Sequence, residues 1–378
     1  MNAWHEHAPG EHDAGERSWQ VVRQAYEERL PAPRERSRRP FVAVAIGVAI
    51  LAAALSPPGL AVWGSLRDAV RGAQTARPAL FSLPVPRSRL LVNSAEGAWI
   101  VQSDGSKRLL DGYREASWSP HGLYLAAVHG DELRALEPNG DVHWSIGRTA
   151  LASPRWSSRG NGDERIAYLA GSTLRVVGGD GRGDRALARH VSPVMPAWRP
   201  RTHVLAYVNG RGGLIVRDVD TGNVQWSAGE LPQRPSALEW SGDGHYLLVR
   251  GPTSLTVFGA TGTPRLTPIG PGAAPIVDAA FQPRNDAVAF VQHAGNRSVV
   301  WFYPRLRPDG TVARRVISVA GVFDRVAWSP DGRWLLLSWR SADEWLFIRS
   351  ASVRKVVPVA GIADAFGPAA VPAGWCCP

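Results

Sequence analysis

From residue 89 onward, short apolar runs alternate with tight polar turns in a pattern that repeats along the chain. Each copy has an aromatic residue, a Ser-Pro pair or a substitute, a turn residue, often a Gly, and then a run rich in Leu, Ala and Val. The fullest copy starts at Trp328 (Trp-Ser-Pro-Asp-Gly), and a near twin starts at Trp118 (Trp-Ser-Pro-His-Gly). Pro at the second turn position with Asp-Gly after it specifies a tight hairpin turn. The pattern therefore predicts a strand that ends in an aromatic, a turn, and a second, apolar strand.

The aromatic residues that mark these copies are regularly spaced. The seven markers are Trp118, Trp156, Trp198, Trp240, Phe281, Trp328 and Phe366. Successive markers are 38 to 47 residues apart. A period of about 40 residues with short strands is typical of β-propeller blades, each a four-stranded antiparallel sheet. We therefore predict an all-β propeller over residues 88–370.

A second repeated turn and the ends of the repeat region indicate the number of blades. Gly140 and Gly222 each lie in a turn that leads into an alternating stretch with a tryptophan, as the outer strand of a blade requires. Residues 89–110 hold three strand-like runs with no marker before them, whereas Phe366 has almost no chain after it. Joining the Phe366 strand to those three N-terminal strands gives seven blades and closes the ring, which removes exposed sheet edges. Six and eight blades are the alternatives.

The first 40 residues are polar and contain one amphipathic stretch. Residues 16–30 predict a short helix, because Trp19, Val22 and Tyr26 follow at helical spacing and form an apolar stripe. A lone helix of this length is marginal in water unless its stripe docks on something. Trp19, Val22 and Tyr26 are therefore candidate partner-binding residues, facing either a protein or the inner membrane surface.

Residues 41–63 are predominantly apolar and long enough, at about 35 Å as a helix, to cross a bilayer. Four arginines lie between residues 34 and 39, and arginines are sparser after residue 63. The positive-inside rule then predicts a cytoplasmic segment over 1–40, a single transmembrane helix over 41–63, a linker over 64–87 and an extracytoplasmic propeller. A cleavable signal peptide is the competing interpretation, but the polar leader and the lack of a small-residue cleavage site favour an uncleaved signal anchor in the cell membrane.

The charge and the cysteine content limit the classes of ligand and partner that the sequence predicts. The net charge is +10, mostly from arginine, which could attract lipid headgroups or acidic wall polymers. The arginines are scattered and not arranged in a stripe with aromatics, so nucleic acid is not favoured. Cys376 and Cys377 are adjacent, whereas metal ligands are usually spaced and accompanied by others. We therefore predict no metal or cofactor and assign residues 371–378 to a C-terminal tail, with a disulfide to another chain as the alternative.

The strings that begin at Trp118 and Trp328 resemble the TolB-like (Pro-Asp type) β-propeller repeat family over roughly residues 89–370. Propellers of the tryptophan–aspartate repeat family are more distantly similar, because their Gly-His and Trp-Asp signatures do not recur here. The resemblance implies a rigid binding scaffold in the cell envelope. It does not imply one ligand, because propellers support many functions.

No motif with catalytic chemistry is present in the sequence. A Gly-x-Ser-x-Gly elbow, a His-Glu-x-x-His helix, a phosphate-binding loop and paired Cys clusters are all lacking, and residues 178–183 predict a glycine-rich hairpin. Most Asp and Glu residues occupy turn positions, where local hydrogen bonding explains them. We therefore predict no enzyme and no catalytic residue.

Three functions follow from this organisation. The first is a membrane-anchored binding or scaffolding module for a protein or an envelope polymer. The second is a transmembrane signalling component whose N-terminal helix engages a cytoplasmic regulator, with the topology of membrane-bound anti-sigma proteins. The third is a propeller hydrolase with acidic residues around its channel.

Overall fold

The computed structural model describes residues 82–158, 163–269, 274–306, 313–350 and 355–377. Within these ranges the chain forms seven four-stranded antiparallel sheets arranged as a β-propeller, which confirms the predicted all-β class and blade number. The predicted segments 1–40 and 41–63 lie outside the described residues, as do residues 64–81 of the linker. No helix among the described residues is long and apolar enough to cross a membrane. The helix predicted over 41–63 stays a prediction.

Each blade takes its strands in chain order from the inside of the ring to the outside, except the closing blade. Blade 1 contains β4 (Tyr113–Trp118), β5 (Leu125–His129), β6 (Glu132–Leu136) and β7 (Val142–Gly147). Blade 2 contains β8 (Leu151–Trp156), β9 (Arg165–Ala170), β10 (Thr173–Gly178) and β11 (Arg185–Ala188). Blade 3 contains β12 (Ala197–Trp198), β13 (Val204–Val208), β14 (Gly213–Asp218) and β15 (Val224–Glu230). Blade 4 contains β16 (Ala237–Trp240), β17 (Tyr246–Arg250), β18 (Leu255–Gly259) and β19 (Pro264–Ile269).

The remaining blades complete the circle. Blade 5 contains β20 (Ile276–Phe281), β21 (Val288–Ala294), β22 (Arg297–Tyr303) and β23 (Arg314–Ala320). Blade 6 contains β24 (Phe323–Trp328), β25 (Trp334–Trp339), β26 (Glu344–Arg349) and β27 (Val356–Ala360). Blade 7 joins the C-terminal strand β28 (Val371–Cys376) to β1 (Arg89–Asn93), β2 (Gly97–Gln102) and β3 (Lys107–Asp111). A short 3-10 helix (Arg340–Ala342) joins β25 to β26, and helix α1 (Ile362–Phe366) lies between β27 and β28.

The turn after each inner strand is built by the side chains that the sequence repeats. In blade 6 the Gly332 amide donates to the Ser329 carbonyl at 2.8 Å, and Asp331 accepts from the Ser329 hydroxyl at 2.6 Å. The amide of Trp334 in turn donates to the Ser329 hydroxyl at 2.9 Å. Gly332 has a φ of +69°, which glycine adopts without the steric cost that other residues meet. Local hydrogen bonds therefore fix this turn, which is why its sequence recurs.

Tryptophans in the outer strands fasten neighbouring blades together. The Trp144 indole of β7 donates to the Gly179 carbonyl of blade 2, and the Trp226 indole of β15 donates to the Ala260 carbonyl of blade 4, both at 2.9 Å. A Cβ atom added at Gly262 would lie 2.7 Å from the Trp226 ring, so only glycine leaves room for it. The two tryptophans that follow the second repeated turn thus have one structural role in two blades.

The apolar core is divided among the interfaces between blades. Each cluster of buried side chains combines two neighbouring sheets; for example, Val291 of blade 5 packs with Val326 and Leu337 of blade 6. The second strand of a blade, such as β25, has a nearly continuous apolar sequence because both of its faces are buried. Burial is therefore spread around the whole ring, and no single blade has a core of its own.

The C-terminal end corrects two sequence predictions. Phe366 does not end an inner strand; it is the last residue of α1, is fully buried, and stacks on Trp345 with ring centroids 5.1 Å apart. Residues 371–376, assigned to a tail, form β28, and the aromatic of that strand is Trp375. Proline and glycine inside β28 weaken its strand signal, and Phe-Gly-Pro at 366–368 imitates the marker motif. The propeller therefore extends to Cys376, past the predicted boundary at 370.

Candidate functional site in the central channel

The inner strands surround the axis of the ring, because each contacts the inner strands of both neighbouring blades. These strands are β4, β8, β12, β16, β20, β24 and β28. In the first six, the marker aromatic is the last residue. Five charged side chains of these strands lie one or three residues before the marker; Arg114 and Asp324, each four residues before its marker, are not in this set. We call this set the channel charges: Glu115, Arg155, Glu239, Asp278 and Arg325.

Arg155 and Arg325 lie on the inner strands of blades 2 and 6, which are not neighbours in the ring. Repulsion between their charges lowers the pKa of Arg155, and the channel is the space that these inner strands surround. Glu115 and Glu239 interact favourably with Arg155 in the same space.

Glu115 links blades 1 and 2 through a strained backbone. Its carboxylate accepts the Ser153 amide at 2.6 Å, and the two residues lie three positions before their respective markers. Both have left-handed backbones, with φ values of +52° and +55°, and both sit where the register of the inner strand shifts. Such values cost energy in residues other than glycine, so the surrounding structure must hold the bulges in place.

Asp278 is the most buried of the acidic groups, with 7% of its surface exposed. It accepts the Val326 amide of blade 6 at 3.1 Å and lies 3.8 Å from the guanidinium of Arg325, whose side chain is 45% exposed. Burial raises the pKa of Asp278, while Arg325 and Arg250 act in the opposite direction. The pair combines a fixed acceptor with a cation that water and ligands can reach.

Glu239 is half-buried and accepts the Phe281 amide of blade 5 at 3.2 Å. Burial raises the pKa of Glu239 to about 8, and the nearby charge of Asp278 adds to this effect. The hydrogen bond from Phe281 and the charge of Arg155 oppose it. At neutral pH Glu239 is therefore mostly protonated, and the channel holds fewer negative charges than its sequence suggests.

Arg155 holds its charge without an ion pair to any described residue. Its Nε lies 2.6 Å from the Met195 sulfur, and no carboxylate among the described residues lies within ion-pair distance of it. Burial lowers the pKa of Arg155 to about 10, and repulsion from Arg325 contributes. The group nevertheless stays protonated at neutral pH, so a cation is held in the channel without a salt bridge.

The predicted partner-binding residues Trp19, Val22 and Tyr26 lie outside the described residues.

The sequence-based prediction missed the channel charges, because it assigned acidic residues to turns. The signal that identifies them is their position, one or three residues before a marker aromatic. Within the described ranges, no group of three or more His, Cys, Asp or Glu side chains is arranged to hold a metal ion.

Comparison with solved structures shows the β-propeller fold. The Hsv2p propeller of Kluyveromyces lactis is 12% identical, with a TM-score of 0.54 over 72% of this chain and 93% of that one. A chain of the mitotic checkpoint complex is 14% identical, with a TM-score of 0.51 over 68% of this chain and 87% of that one. Both are propellers of the tryptophan–aspartate repeat type. At such low identity the likeness concerns the fold alone.

No family model matches the chain. A search of curated proteins likewise finds no match. Membership of the TolB-like repeat family therefore stays a prediction from the motifs at Trp118 and Trp328.

Proposed function

We propose that the chain is a non-enzymatic, membrane-anchored module whose extracytoplasmic propeller binds a protein or a cell-envelope polymer. The closed ring carries this proposal. Every blade has four paired strands, so the channel and both faces are held rigid, and rigid surfaces lose little conformational entropy on binding. The apolar stretch over 41–63 supports the anchor, and the Trp-Ser-Pro-Asp-Gly string at Trp328 supports a TolB-like repeat propeller.

The channel charges indicate an acidic partner. Glu115, Glu239 and Asp278 each accept a backbone amide of the next blade, so these carboxyl groups hold neighbouring blades together. Arg155 has no ion pair among the described residues, and the Arg325 side chain is 45% exposed. An acidic side chain, or a carboxylate or phosphate of an envelope polymer, would complement these two cations. The net charge of +10 would attract the same partners at long range.

A propeller hydrolase is the second candidate. It is favoured by Glu239, whose pKa is raised to about 8, because a carboxylic acid that stays protonated near neutral pH can donate a proton to a leaving group. Burial also raises the pKa of Asp278. The hydrogen bonds from the next blade explain the same carboxylates structurally. A hydrolytic activity that Glu239→Gln abolishes while the chain stays folded would establish the enzyme instead.

Affinity capture from detergent-solubilised membranes tests the binding function. The baits are the full chain, a chain lacking residues 1–35, the double variant Arg155→Glu/Arg325→Glu, and Arg182→Glu as a matched control on a 90% exposed turn residue. We expect the first, second and fourth to retain the same partner and the double variant to lose it, with circular dichroism confirming that all are folded. Retention by the double variant would rule out the channel as the contact.

Loss of the partner on removal of residues 1–35 would favour the signalling alternative. In that case the predicted helix with Trp19, Val22 and Tyr26 engages a cytoplasmic regulator. The proposed orientation has its own test, in which protease is added to intact cells after removal of the wall. Cleavage of the propeller from outside is expected, and protection of the propeller would contradict the proposed topology.

A further inference from the structure

The two cysteines of the chain form a disulfide with each other at one end of the channel. Cys376 is the last residue of β28, and Cys377 follows it. Both border an open cavity of about 560 Å³ whose walls include Trp118, Pro120 and Trp375. The sequence predicts a frayed tail here, whereas Cys376 lies in a strand and the two cysteines pair with each other.

The disulfide is fitted against the turn of blade 1. A Cβ atom added at Gly122 would lie 2.4 Å from the Cys376 sulfur and 2.7 Å from the Cys377 sulfur. Gly122 also has a φ of +63°, so its backbone and its surroundings both require glycine. The Cys377 sulfur lies 3.8 Å from the Pro120 carbonyl oxygen. The sulfurs of blade 7 therefore contact a turn of blade 1, across the interface between these two blades.

A cation lies near the disulfide. Arg89 of β1 is directly opposite Cys376 in the strand pairing, and its Nη2 lies 3.1 Å from the same Cβ position at Gly122. The guanidinium stacks over the Trp118 ring, 5.2 Å from the ring centroid. A positive charge next to a cysteine favours its thiolate form, which makes that sulfur the better leaving group when a disulfide is attacked.

The two sulfurs differ in their access to solvent. Cys376 is 6% exposed and is covered by the strand pairing with β1, whereas Cys377 is only half-buried. An incoming thiolate therefore reaches Cys377 more readily through the open cavity. Exposure therefore makes Cys377 the sulfur to be attacked and Cys376, which pairs with Arg89 across the two strands, the sulfur that leaves.

We propose that Cys376–Cys377 is a redox-active disulfide that undergoes exchange with an incoming dithiol at the channel mouth. A thiolate of the dithiol attacks the Cys377 sulfur, the bond between the cysteines breaks, and its electron pair goes to Cys376 as a thiolate beside Arg89. The second thiol of the reductant loses its proton and attacks its own sulfur in the mixed disulfide, which releases the Cys377 thiolate. Protonation leaves two protein thiols, and the dithiol becomes a cyclic disulfide. This proposal does not depend on the proposed binding function.

Peptide mapping of the full chain tests the site directly. In chain purified without reductant and alkylated after unfolding, we expect neither cysteine to be alkylated; alkylation of both would overturn the proposal. Native chain is then treated briefly with glutathione and quenched in acid. Fragmentation between the two cysteines should place the adduct on Cys377, and an adduct on Cys376 would contradict the assigned direction of attack.

The rate of reduction by dithiothreitol tests the role of Arg89. Arg89→Met should slow reduction by roughly threefold or more, because the leaving thiolate loses its neighbouring cation. Arg89→Lys and the control Arg182→Met should stay close to the unsubstituted chain. Equal rates in all four would remove Arg89 from the mechanism.

Circular dichroism recorded during the reaction separates exchange from unfolding. The disulfide should be reduced while the strand signal persists; reduction only on unfolding would indicate a purely structural bond. If Arg89→Met does not fold, the position of the glutathione adduct in the unsubstituted chain decides alone.

Discussion

Removing the C-terminal strand should abolish cooperative folding of the whole propeller. Deleting residues 371–378 takes away β28, which pairs with β1 at five positions from Arg89 to Asn93. It removes the Trp375 ring, which packs edge-on against Phe347 at 5.5 Å and donates from its indole to Ser88 at 2.9 Å. It also exposes Leu91 and Val92, which are fully buried.

The magnitude follows from these contacts. Each large apolar side chain that loses its burial costs about 1.5–3 kcal/mol, and each lost hydrogen bond costs about 0.5–1.5 kcal/mol. Several of each give a loss of about 8 kcal/mol, which is comparable to the 5–15 kcal/mol that typically stabilises a whole domain, as an order-of-magnitude range. The truncated chain should therefore have no folded state that survives the loss.

Near-ultraviolet circular dichroism during heating is the assay, because the many tryptophans report ordered packing. We expect the truncated chain to lack both the native signal and a cooperative transition. The control removes only the residue after Cys377 and should unfold like the full chain. A truncated chain that unfolds cooperatively within about 1 kcal/mol of the parent would refute the reasoning, since natural domains have so little stability to lose.

Three further predictions concern side chains inside the ring. Glu239→Gln should stabilise the fold relative to the parent increasingly as pH rises, because the stability contributed by protonated Glu239 is complete below about pH 4.5 and is lost as pH passes about 8, by at most about 5 kcal/mol. Urea unfolding at pH 5 and pH 9 measures the difference in unfolding free energy between variant and parent, and the same difference at both pH values would contradict this prediction. Trp345→Ala should lower the free energy of unfolding by about 3–5 kcal/mol in the same assay, because removal of a fully buried ring that stacks on Phe366 leaves a cavity. A loss below about 1 kcal/mol would show that the site is loosely packed. Gly262→Ala should lower the free energy of unfolding by about 1–3 kcal/mol more than Gly222→Ala, because both glycines have positive φ but only Gly262 lies against Trp226. Equal losses in the two variants would show that the contact with Trp226 does not constrain residue 262.

The parts of the fold that the sequence predicts are those encoded by local chemistry. The Ser-Pro-Asp-Gly turn is readable because Ser329, Asp331 and Gly332 satisfy one another's hydrogen bonds within a few residues. The repeat then follows from the spacing of these turns and their aromatics. The closing strand has no such turn of its own, and its Pro372 and Gly374 are unfavourable in strands, so the sequence places the marker at the nearby Phe-Gly-Pro instead.

The channel charges depend on information that no local motif carries. A charged residue before an aromatic faces the axis only when that strand is the innermost one and its bulges are known, because each bulge changes which side of the strand the following residues face. The shifts in register beside Glu115 and Asp278 illustrate this. Similarly, nothing in the sequence relates Arg89 to Cys376, since the two meet only when the ends of the chain pair.

An experimental structure of the full chain, by crystallography or cryo-electron microscopy, tests the closed ring most directly. We predict seven four-stranded sheets around one axis, with Leu90 opposite Trp375 where the two ends of the propeller meet. A ring of six or eight sheets, or residues 371–376 lying apart from residues 89–93, would contradict it.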